Sequence, residues 1–266
     1  MEVTLAKPIA YGRTAEIYQW QDGTVLKLYH DWFPSQVVEY ESKVAHLVVD
    51  AGIPTPAAGE IIEVNGRRGI IFERVNGISM LQDMNKRPWN IFKHAHTLAE
   101  LQSRINQLSF SGLSSNKDGL AYAIQKAPHL SEHLREKAMN LLSNLQDGDK
   151  VCHGDFHPGN IMLTDRGAIV IDWMTVNRGN PIADFARTNM LLMIGPKGVG
   201  KQISLMVKVF IKFFRQMYSR SYLQLIPDSN NERKKWLTVT AAARLAEQIE
   251  PEREALLQVV KDGLKR

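Results

Sequence analysis

The stretch that decides the fold runs His153-Gly154-Asp155-Phe156-His157-Pro158-Gly159-Asn160-Ile161-Met162, and Ile169-Val170-Ile171-Asp172-Trp173 completes it. Between the two, apolar runs at 161–163 and 168–171 flank Thr164-Asp165-Arg166-Gly167, which predicts a β-hairpin with Gly167 at a turn position of positive φ. A hairpin brings its two ends together. We therefore expect Asp155 and Asn160, before the first strand, to converge with Asp172 at the end of the second.

Two carboxylates and one amide oxygen are hard ligands, which suit Mg²⁺ and a bound polyphosphate. Phosphoryl transfer needs one carboxylate to orient the attacking hydroxyl, and an amide with a second carboxylate to hold metal against the phosphates. The kinase catalytic loop places its Asp and Asn five residues apart. Asp155 and Asn160 have that spacing.

The motif HGDFHPGN, followed by IDW, resembles the aminoglycoside phosphotransferase and choline kinase-like family, relatives of the protein kinases. The resemblance implies an α+β, two-lobed protein kinase-like fold. A small antiparallel β-sheet with one helix would form the N-lobe at 1–75, and a mostly helical C-lobe would span 76–266. It also implies transfer of the γ-phosphoryl group of ATP or GTP to a hydroxyl, with Asp155 as the base and Asn160 and Asp172 holding Mg²⁺.

Two other interpretations of the loop remain. It could be a polar connection between strands, or a metal-hydrolase site built from His153, Asp155 and His157, which lie at alternate positions. No further His or Cys cluster in the sequence supports the second interpretation. We expect His153 to be a structural hydrogen-bonding residue and His157 to be a loop residue.

Composition favours a globular intracellular protein. The chain has 266 residues, 44% of them hydrophobic, enough for one large domain or two lobes that share a cleft. Cys152 is the one cysteine, so an internal disulfide is impossible and a reducing, cytoplasmic location is expected. Its place in the apolar Val151-Cys152 strand indicates core packing. No signal pattern and no membrane-spanning apolar run is found in the sequence.

Positive charge is concentrated towards the end of the sequence. The formal charge is +5 overall, but 196–266 carries 14 Lys and Arg against 7 Asp and Glu, an excess of 14 − 7 = +7. Such an excess could attract an anionic substrate, nucleic acid or a membrane surface, or could be charge scattered over solvated helix faces. We expect no nucleic-acid partner and no membrane partner.

The first strands predict a nucleotide phosphate loop. Residues 3–29 have the pattern of three strands, and the first connection contains Gly12, Arg13 and Thr14. A kinase-type loop there would offer backbone N–H groups to phosphate, with Arg13 and Thr14 as side-chain donors. The loop has one glycine where protein kinases have three, so an ordinary hairpin turn is the alternative.

Lys27 is the charged residue of the apolar strand at 25–29. The helix predicted at 35–51 places Val37, Val44 and Val48 on one stripe, and Glu41 falls on that same stripe. A carboxylate on an apolar face is costly unless it meets a cation. We therefore predict a Lys27–Glu41 ion pair, and the family resemblance implies that Lys27 reaches the α and β phosphates.

A second hairpin, 60–72, carries the Asn65-Gly66 signal of a type I′ turn. The chain then leaves the sheet through Phe72-Glu73-Arg74-Val75-Asn76-Gly77. By resemblance this segment is the hinge between lobes, where the backbone of Glu73 and Val75 contacts the adenine edge and Phe72 backs the pocket.

The rest of the chain has mostly helical periodicity. Within 78–147 we predict one amphipathic helix over 95–108 and another over 134–145 capped by Ser131, with His94 and His96 on the surface. Asn180-Pro181 opens a further helix, in which the family resemblance implies that Asp184 braces the catalytic loop. Amphipathic helices at 202–218, 234–247 and 252–260 are expected to complete the C-lobe and to wall the substrate cleft.

The segment Gly195–Lys201 matches GxxxxGK of a Walker phosphate loop. Gln202 follows, where Mg²⁺ coordination requires Ser or Thr, and the preceding 185–194 has a helical pattern instead of a buried strand. We therefore interpret Gly195 as a helix stop.

The sequence favours a small-molecule acceptor, because no recognisable activation segment lies between Asp172 and the helix of Asp184. The basic excess at 196–266 favours a neutral or anionic hydroxyl compound over a polycationic aminoglycoside, although Glu247 and Glu250 could still build an anionic patch. The competing class is a nucleotide-binding regulator without catalysis. The presence of every catalytic position argues against it.

Overall fold

The structure, a computed structural model, describes residues 5–195 and 204–265. The chain forms two compact units, one made of Met1–Asp83 with Gly159–Thr175 and the other of Met84–Pro158 with Val176–Arg266. The first unit contains an antiparallel sheet and the second is mainly helical, as the predicted α+β, kinase-like fold requires.

The first unit is organised on a five-stranded antiparallel sheet in the order β1-β2-β3-β5-β4. Its strands are β1 (Ala10–Tyr11), β2 (Ala15–Gln19), β3 (Thr24–Tyr29), β4 (Ala58–Val64) and β5 (Arg67–Glu73). Alternation along β3 buries Leu26 and Leu28 on one face, where they pack with Tyr18 and Val64. On the other face Tyr29 and Ile70 pack against Val38 of the helix α1 (Ser35–Asp50).

The phase of α1 differs slightly from the predicted stripe. Val44 and Val48 are buried with Glu41, as expected, but the stripe begins at Val38, and Val37 is partly exposed. Positions 37 and 38 both lie within one turn of Glu41, so periodicity alone did not separate them. The sequence also predicts a solvent-facing side of this helix, and its residues Glu39, Lys43, His46 and Asp50 are exposed.

Both predicted hairpin turns are present. Asn65 and Gly66 have φ of 50° and 77°, the two positive values that a type I′ turn requires. The second hairpin joins β8 (Ile161–Thr164) to β9 (Gly167–Val170), with Gly167 at φ 108°. Strand β6 (Ile78–Ser79) pairs with β8 and extends this hairpin to three strands.

The second unit contains most of the helices. Its elements are β7 (Lys150–Cys152), β10 (Asn177–Gly179), α3 (Ile91–Ile105), α4 (Asn116–Lys126), α5 (Glu132–Ser143), α6 (Pro181–Ile194), α7 (Leu205–Leu225), α8 (Arg233–Arg244) and α9 (Arg253–Leu264). The chain enters this unit through α2 (Met80–Lys86). Strands β7 and β10 pair antiparallel, with Asn177 opposite Cys152.

Helix α6 begins where the sequence predicted. The side chain of Asn180, at the N-cap, accepts a hydrogen bond from the Ile182 amide at 2.9 Å, and Pro181 occupies the first helical position, where no amide hydrogen is needed. The ring of Phe185, on this helix, stacks on Tyr222 of α7 with centroids 4.8 Å apart. The cap fixes the start of α6, and the ring stack packs its first turns against α7.

Two expectations about α3 and α5 are wrong in detail. His94 is 3% exposed and has interaction partners, while His96 is exposed and pairs with Glu100. Residues two apart on a helix face opposite ways, so one of the two histidines had to point inward. Ser131 does stand at the N-cap of α5, but its side chain makes no capping hydrogen bond.

None of the described helices is both long and apolar enough to cross a membrane. The Walker-like segment falls almost wholly outside the described residues. Its first residue, Gly195, directly follows α6, so the residues before the motif are helical, as predicted.

We predict opposite effects of alanine at two glycines. A Cβ at Gly77 would overlap the carbonyl oxygen of Leu163, whereas one at Gly119, inside α4, meets no atom within 4 Å. Gly77→Ala should lower the free energy of unfolding by about 1–3 kcal/mol through overpacking. Gly119→Ala should be neutral or stabilising by up to about 1 kcal/mol, because alanine favours the helix. Urea denaturation measures both, and equal effects would contradict the packing described for Gly77.

Candidate active site

The predicted ion pair between β3 and α1 is present. Lys27 Nζ lies 2.6 Å from Glu41 Oε1, and the Glu41 side chain is only 2% exposed. The hydroxyl of Tyr29 donates to the other carboxylate oxygen, Oε2, at 2.5 Å. Both oxygens of this buried carboxylate are therefore satisfied, which is the condition for keeping a charge on an apolar helix face. The sequence did not predict this contact, because tyrosine is common in strands and its presence does not indicate a hydrogen bond to Glu41.

Lys27 also contacts the residue predicted to hold metal. Its Nζ donates to Asp172 Oδ1 at 2.9 Å. Burial alone would lower the pKa of Lys27, but the charges of Glu41 and Asp172 outweigh it and raise that pKa to about 12. The lysine is thus a permanent cation between two carboxylates, and the Asp172 side chain is 38% exposed.

The hairpin brings Asn160 and Asp172 to one end of the strands. Ile161 pairs with Val170, and the amide of Ile171 donates to the carbonyl of Asn160 at 3.0 Å. Asp172 follows at φ 69°, a left-handed conformation that costs energy in a non-glycine residue and is typical of functional sites. An amide oxygen and a carboxylate at this position form a donor set that fits Mg²⁺.

Residues 153–158, the first part of the predicted catalytic loop, lie in the second unit, and Asp184 braces them, as the family resemblance implied. This buried carboxylate accepts the backbone N–H of His153 at 3.2 Å and of Gly154 at 2.9 Å. Gln102 of α3 and Asn106, which directly follows that helix, donate to the same carboxylate at 2.9 and 3.0 Å. Four donors on one side chain hold the start of the loop against α3 and α6.

Asp155 is half-buried and lies beside the imidazole of His157. His157 Nε2 lies 3.6 Å from its Oδ2. Burial would raise the pKa of Asp155, but His157, Arg187 and His153 together hold that pKa below its ordinary value. The carboxylate is therefore ionised at neutral pH, ready to accept a hydrogen bond from a hydroxyl.

Sequence reasoning did not anticipate the contact of His157 with Asp155, and it missed Arg187 altogether. The sequence analysis expects His157 to be a loop residue and groups it with Asp155 only in the alternative metal-hydrolase site. Arg187 has no local signal, because it lies on α6 and reaches the loop through the fold.

The other predicted site residues are where the sequence placed them along the chain. Gly12, Arg13 and Thr14 connect β1 to β2, and the Gly12 amide donates to the Ala15 carbonyl at 2.8 Å. Glu73 ends β5, and Val75 follows it. Their contacts with a nucleotide remain predictions. The convergence of Asp155 with Asn160 and Asp172 also remains a prediction.

Cys152 is a core residue, as expected. Its side chain is fully buried in β7, and burial raises the pKa of the thiol well above its ordinary value. A thiol of this kind is protonated at neutral pH and does not act as a nucleophile.

Three solved structures have a similar fold. An aminoglycoside 3′-phosphotransferase of type VIII has a TM-score of 0.62 and 17% identity over 92% of each chain. The amicoumacin kinase hAmiN, in complex with AMP-PNP, Ca²⁺ and Ami, has a TM-score of 0.64 and 13% identity. The match covers 97% of this chain and 87% of that one. A thermostable mutant of aminoglycoside phosphotransferase APH(4)-Ia, in complex with AMP-PNP and hygromycin B, has a TM-score of 0.65 and 11% identity. The match covers 97% of this chain and 90% of that one.

Identities this low establish the shared fold alone. The comparison with curated proteins found no match. A family model gives the more specific result, because its match includes the predicted phosphate loop, the Lys27–Glu41 pair and the predicted catalytic loop. The model described as the phosphotransferase enzyme family matches residues 6–203, most of the chain, and the chain therefore belongs to that family.

Proposed function

We propose that this protein transfers the γ-phosphoryl group of ATP or GTP to a hydroxyl group of a small molecule. The observation that carries the proposal is Lys27, which bridges the buried Glu41 and the partly exposed Asp172 in a chain of the phosphotransferase family. A cation held between one buried carboxylate and one accessible carboxylate is the arrangement that positions nucleotide phosphates beside a metal ligand.

The residues fit Mg²⁺ as part of a nucleotide complex. Among the described residues, no group of three or more His, Cys, Asp and Glu could hold a metal ion. Mg²⁺ is commonly held by one or two protein oxygens together with substrate phosphates. Asn160 and Asp172 would hold it in that way, and it would supply neutralisation of the phosphate charge.

Lys27 would contact the α and β phosphates, with Glu41 and Tyr29 limiting the positions of its ammonium group. Asp155 would accept the proton of the acceptor hydroxyl. The oxygen of that hydroxyl then forms a bond to the γ-phosphorus while the bond between that phosphorus and the β–γ bridging oxygen breaks, which leaves a phosphate ester and a nucleoside diphosphate.

The remaining nucleotide contacts belong to the same proposal. The loop of Gly12, Arg13 and Thr14 would cover the phosphates, and the backbone of Glu73 and Val75 would contact the adenine edge. The N-lobe would then span 1–75 and the C-lobe 76–266. The structural neighbours in complex with AMP-PNP support nucleotide use.

A small-molecule acceptor agrees with the short connection after the metal ligand. Only Trp173–Asn180 separates Asp172 from α6, and part of that segment is the strand β10. This leaves little chain for the activation segment with which protein kinases hold a peptide. We propose a cytoplasmic enzyme without a nucleic-acid or membrane partner. A nucleotide-binding regulator without catalysis is the alternative.

We predict different losses at the two carboxylates. Asp155→Ala should reduce phosphoryl transfer about 100- to 10,000-fold while nearly preserving Mg-nucleotide binding, because it removes the base and not the metal ligand. Asp172→Ala should weaken metal-dependent nucleotide binding. Single-turnover assays with labelled ATP and candidate alcohols, together with calorimetry, measure both quantities. The reverse pattern would mean that the two roles are exchanged.

We predict that two lysines differ sharply. Lys27→Ala should reduce turnover about 100- to 1,000-fold, because phosphate positioning is most of the catalysis of phosphoryl transfer. Lys201→Ala, in the Walker-like segment, should be nearly neutral and serves as the matched control. Steady-state kinetics with ATP measure the two effects. A severe loss at Lys201 with a mild loss at Lys27 would support a Walker loop instead.

The charged residues of the second unit indicate which kind of acceptor the protein would bind. Glu247, a candidate for an anionic pocket, is already paired with Arg187 at 3.3 Å and with Arg244 at 2.7 Å. Glu250, the other candidate, lies 2.8 Å from a guanidinium nitrogen of Arg253. Helix α7 carries four Lys and Arg residues and no acidic residue. A polycation would therefore find few unpaired carboxylates on these elements, which favours a neutral or anionic acceptor.

We predict that sugars or other neutral or anionic hydroxyl compounds are better acceptors than aminoglycosides. The structural neighbours include aminoglycoside phosphotransferases, so this expectation separates the chain from them. Steady-state kinetics on kanamycin- and streptomycin-type drugs, beside a panel of sugars and amino alcohols, test it. Efficient turnover of an aminoglycoside at low concentration would contradict the charge argument.

A further inference from the structure

Helix α6 holds Gly154 from both sides of its backbone. The Asp184 carboxylate accepts the Gly154 amide hydrogen at 2.9 Å. One helical turn later, Arg187 donates its Nε–H to the Gly154 carbonyl oxygen. Residues three apart lie on the same face of a helix, so a single face carries both contacts. Gly154 itself is buried at φ 78°, in the left-handed region that favours glycine.

The contact with Arg187 bears directly on Asp155. The carbonyl that Arg187 holds belongs to the peptide bond between Gly154 and Asp155. The N–H of that same peptide bond donates to His153 Nδ1 at 3.3 Å. A peptide unit is planar, so holding its oxygen and its hydrogen fixes the plane from which Asp155 continues.

Arg187 is in turn held by acidic residues that follow α8. Its terminal nitrogen lies 3.3 Å from Glu247 Oε1, and Glu247 also accepts from Arg244 at 2.7 Å. Arg244 binds Glu252 through two parallel hydrogen bonds of 2.9 and 3.2 Å. The Arg187 side chain is 19% exposed, so its contacts are better shielded from water than a surface ion pair.

We propose that Arg187, held in place by Glu247, is a positioning residue for the phosphoryl transfer and keeps Asp155 oriented towards the acceptor hydroxyl. The inference rests on the proposed function, in which Asp155 accepts the proton. Arg187 acts through the Gly154–Asp155 peptide, and its cationic charge acts on the Asp155 carboxylate directly.

The positive charge of Arg187 lowers the pKa of Asp155. Burial raises the pKa of the Asp155 carboxylate, whereas His157, Arg187 and His153 lower it. Loss of the arginine raises that pKa, so less of the carboxylate is ionised at low pH. Near neutral pH Asp155 stays ionised without the arginine, so the kcat loss in Arg187→Gln should persist across this range and reports lost positioning.

A matched control exists on α5. Arg135 donates to the backbone carbonyls of Ile124, Gln125, Ala127 and Leu130, and its Nε lies 3.3 Å from Glu132. Its side chain is 20% exposed, nearly the same as that of Arg187. It thus has the same chemical contacts, a glutamate and backbone carbonyls, but these carbonyls lie outside the catalytic loop.

The test compares wild type with Arg187→Gln, Arg187→Lys, Glu247→Gln and Arg135→Gln. Arg187→Gln should lower kcat about 10- to 100-fold, the loss expected for a hydrogen bond from a charged donor, with a small change in KM for ATP. Arg187→Lys keeps the charge but lacks the Nε–H donor and should also lose kcat, and Glu247→Gln should lose less than about tenfold. Arg135→Gln should lower Tm but leave kcat unchanged.

Hydrogen–deuterium exchange of 153–157 gives a readout that does not need turnover. Exchange should accelerate in Arg187→Gln and remain at the wild-type rate in Arg135→Gln. Unchanged exchange in Arg187→Gln, or a kcat loss equal to that of Arg135→Gln, would overturn the positioning role. A wild-type protein that phosphorylates no acceptor would overturn the proposed function instead, and the exchange comparison would still decide the role of Arg187.

Discussion

The buried carboxylate of Asp184 is the constraint on which the second unit depends. A charge removed from water must be compensated by hydrogen bonds, and here four donors converge on one side chain. Gln102 and Asn106 bring α3 to it, and their amide oxygens accept the hydroxyls of two tyrosines of α7. The other two donors are the amides of His153 and Gly154. One charge therefore ties α3, α6 and α7 to the loop that carries Asp155.

The first unit also contains a buried carboxylate, which is compensated by different groups. Glu41 is as deeply buried as Asp184, but it is compensated by the Lys27 ammonium and the Tyr29 hydroxyl instead of by amides. A hydrogen-bonded buried charge cannot move cheaply, so Lys27 is fixed at the point where it also meets Asp172. In both units a buried carboxylate has a structural role: Glu41 holds Lys27 itself, and Asp184 holds the residues that directly precede Asp155.

Features with a local cause were predictable from the sequence. The Asn65-Gly66 turn, the α6 cap at Asn180 and the Lys27–Glu41 pair each follow from a few neighbouring residues or from one charge on an apolar stripe. The burial of His94 and the contact from Arg187 to Gly154 were not predictable. Each depends on which element packs against the residue, and a backbone carbonyl as partner leaves no trace in the sequence. The chemistry of a site is therefore easier to foresee than the residues that hold it in place.

The central claim is that this kinase-like chain is a working phosphotransferase and not a silent nucleotide-binding protein. Phosphorus NMR of the wild-type protein with Mg-ATP and a pool of hydroxyl compounds tests it most directly, because phosphate esters, inorganic phosphate and ADP give separate signals. The account predicts that a phosphomonoester signal grows in step with ADP and depends on the presence of one of the hydroxyl compounds. Bound but unconsumed ATP, or ADP that appears only with inorganic phosphate for every compound, would contradict it.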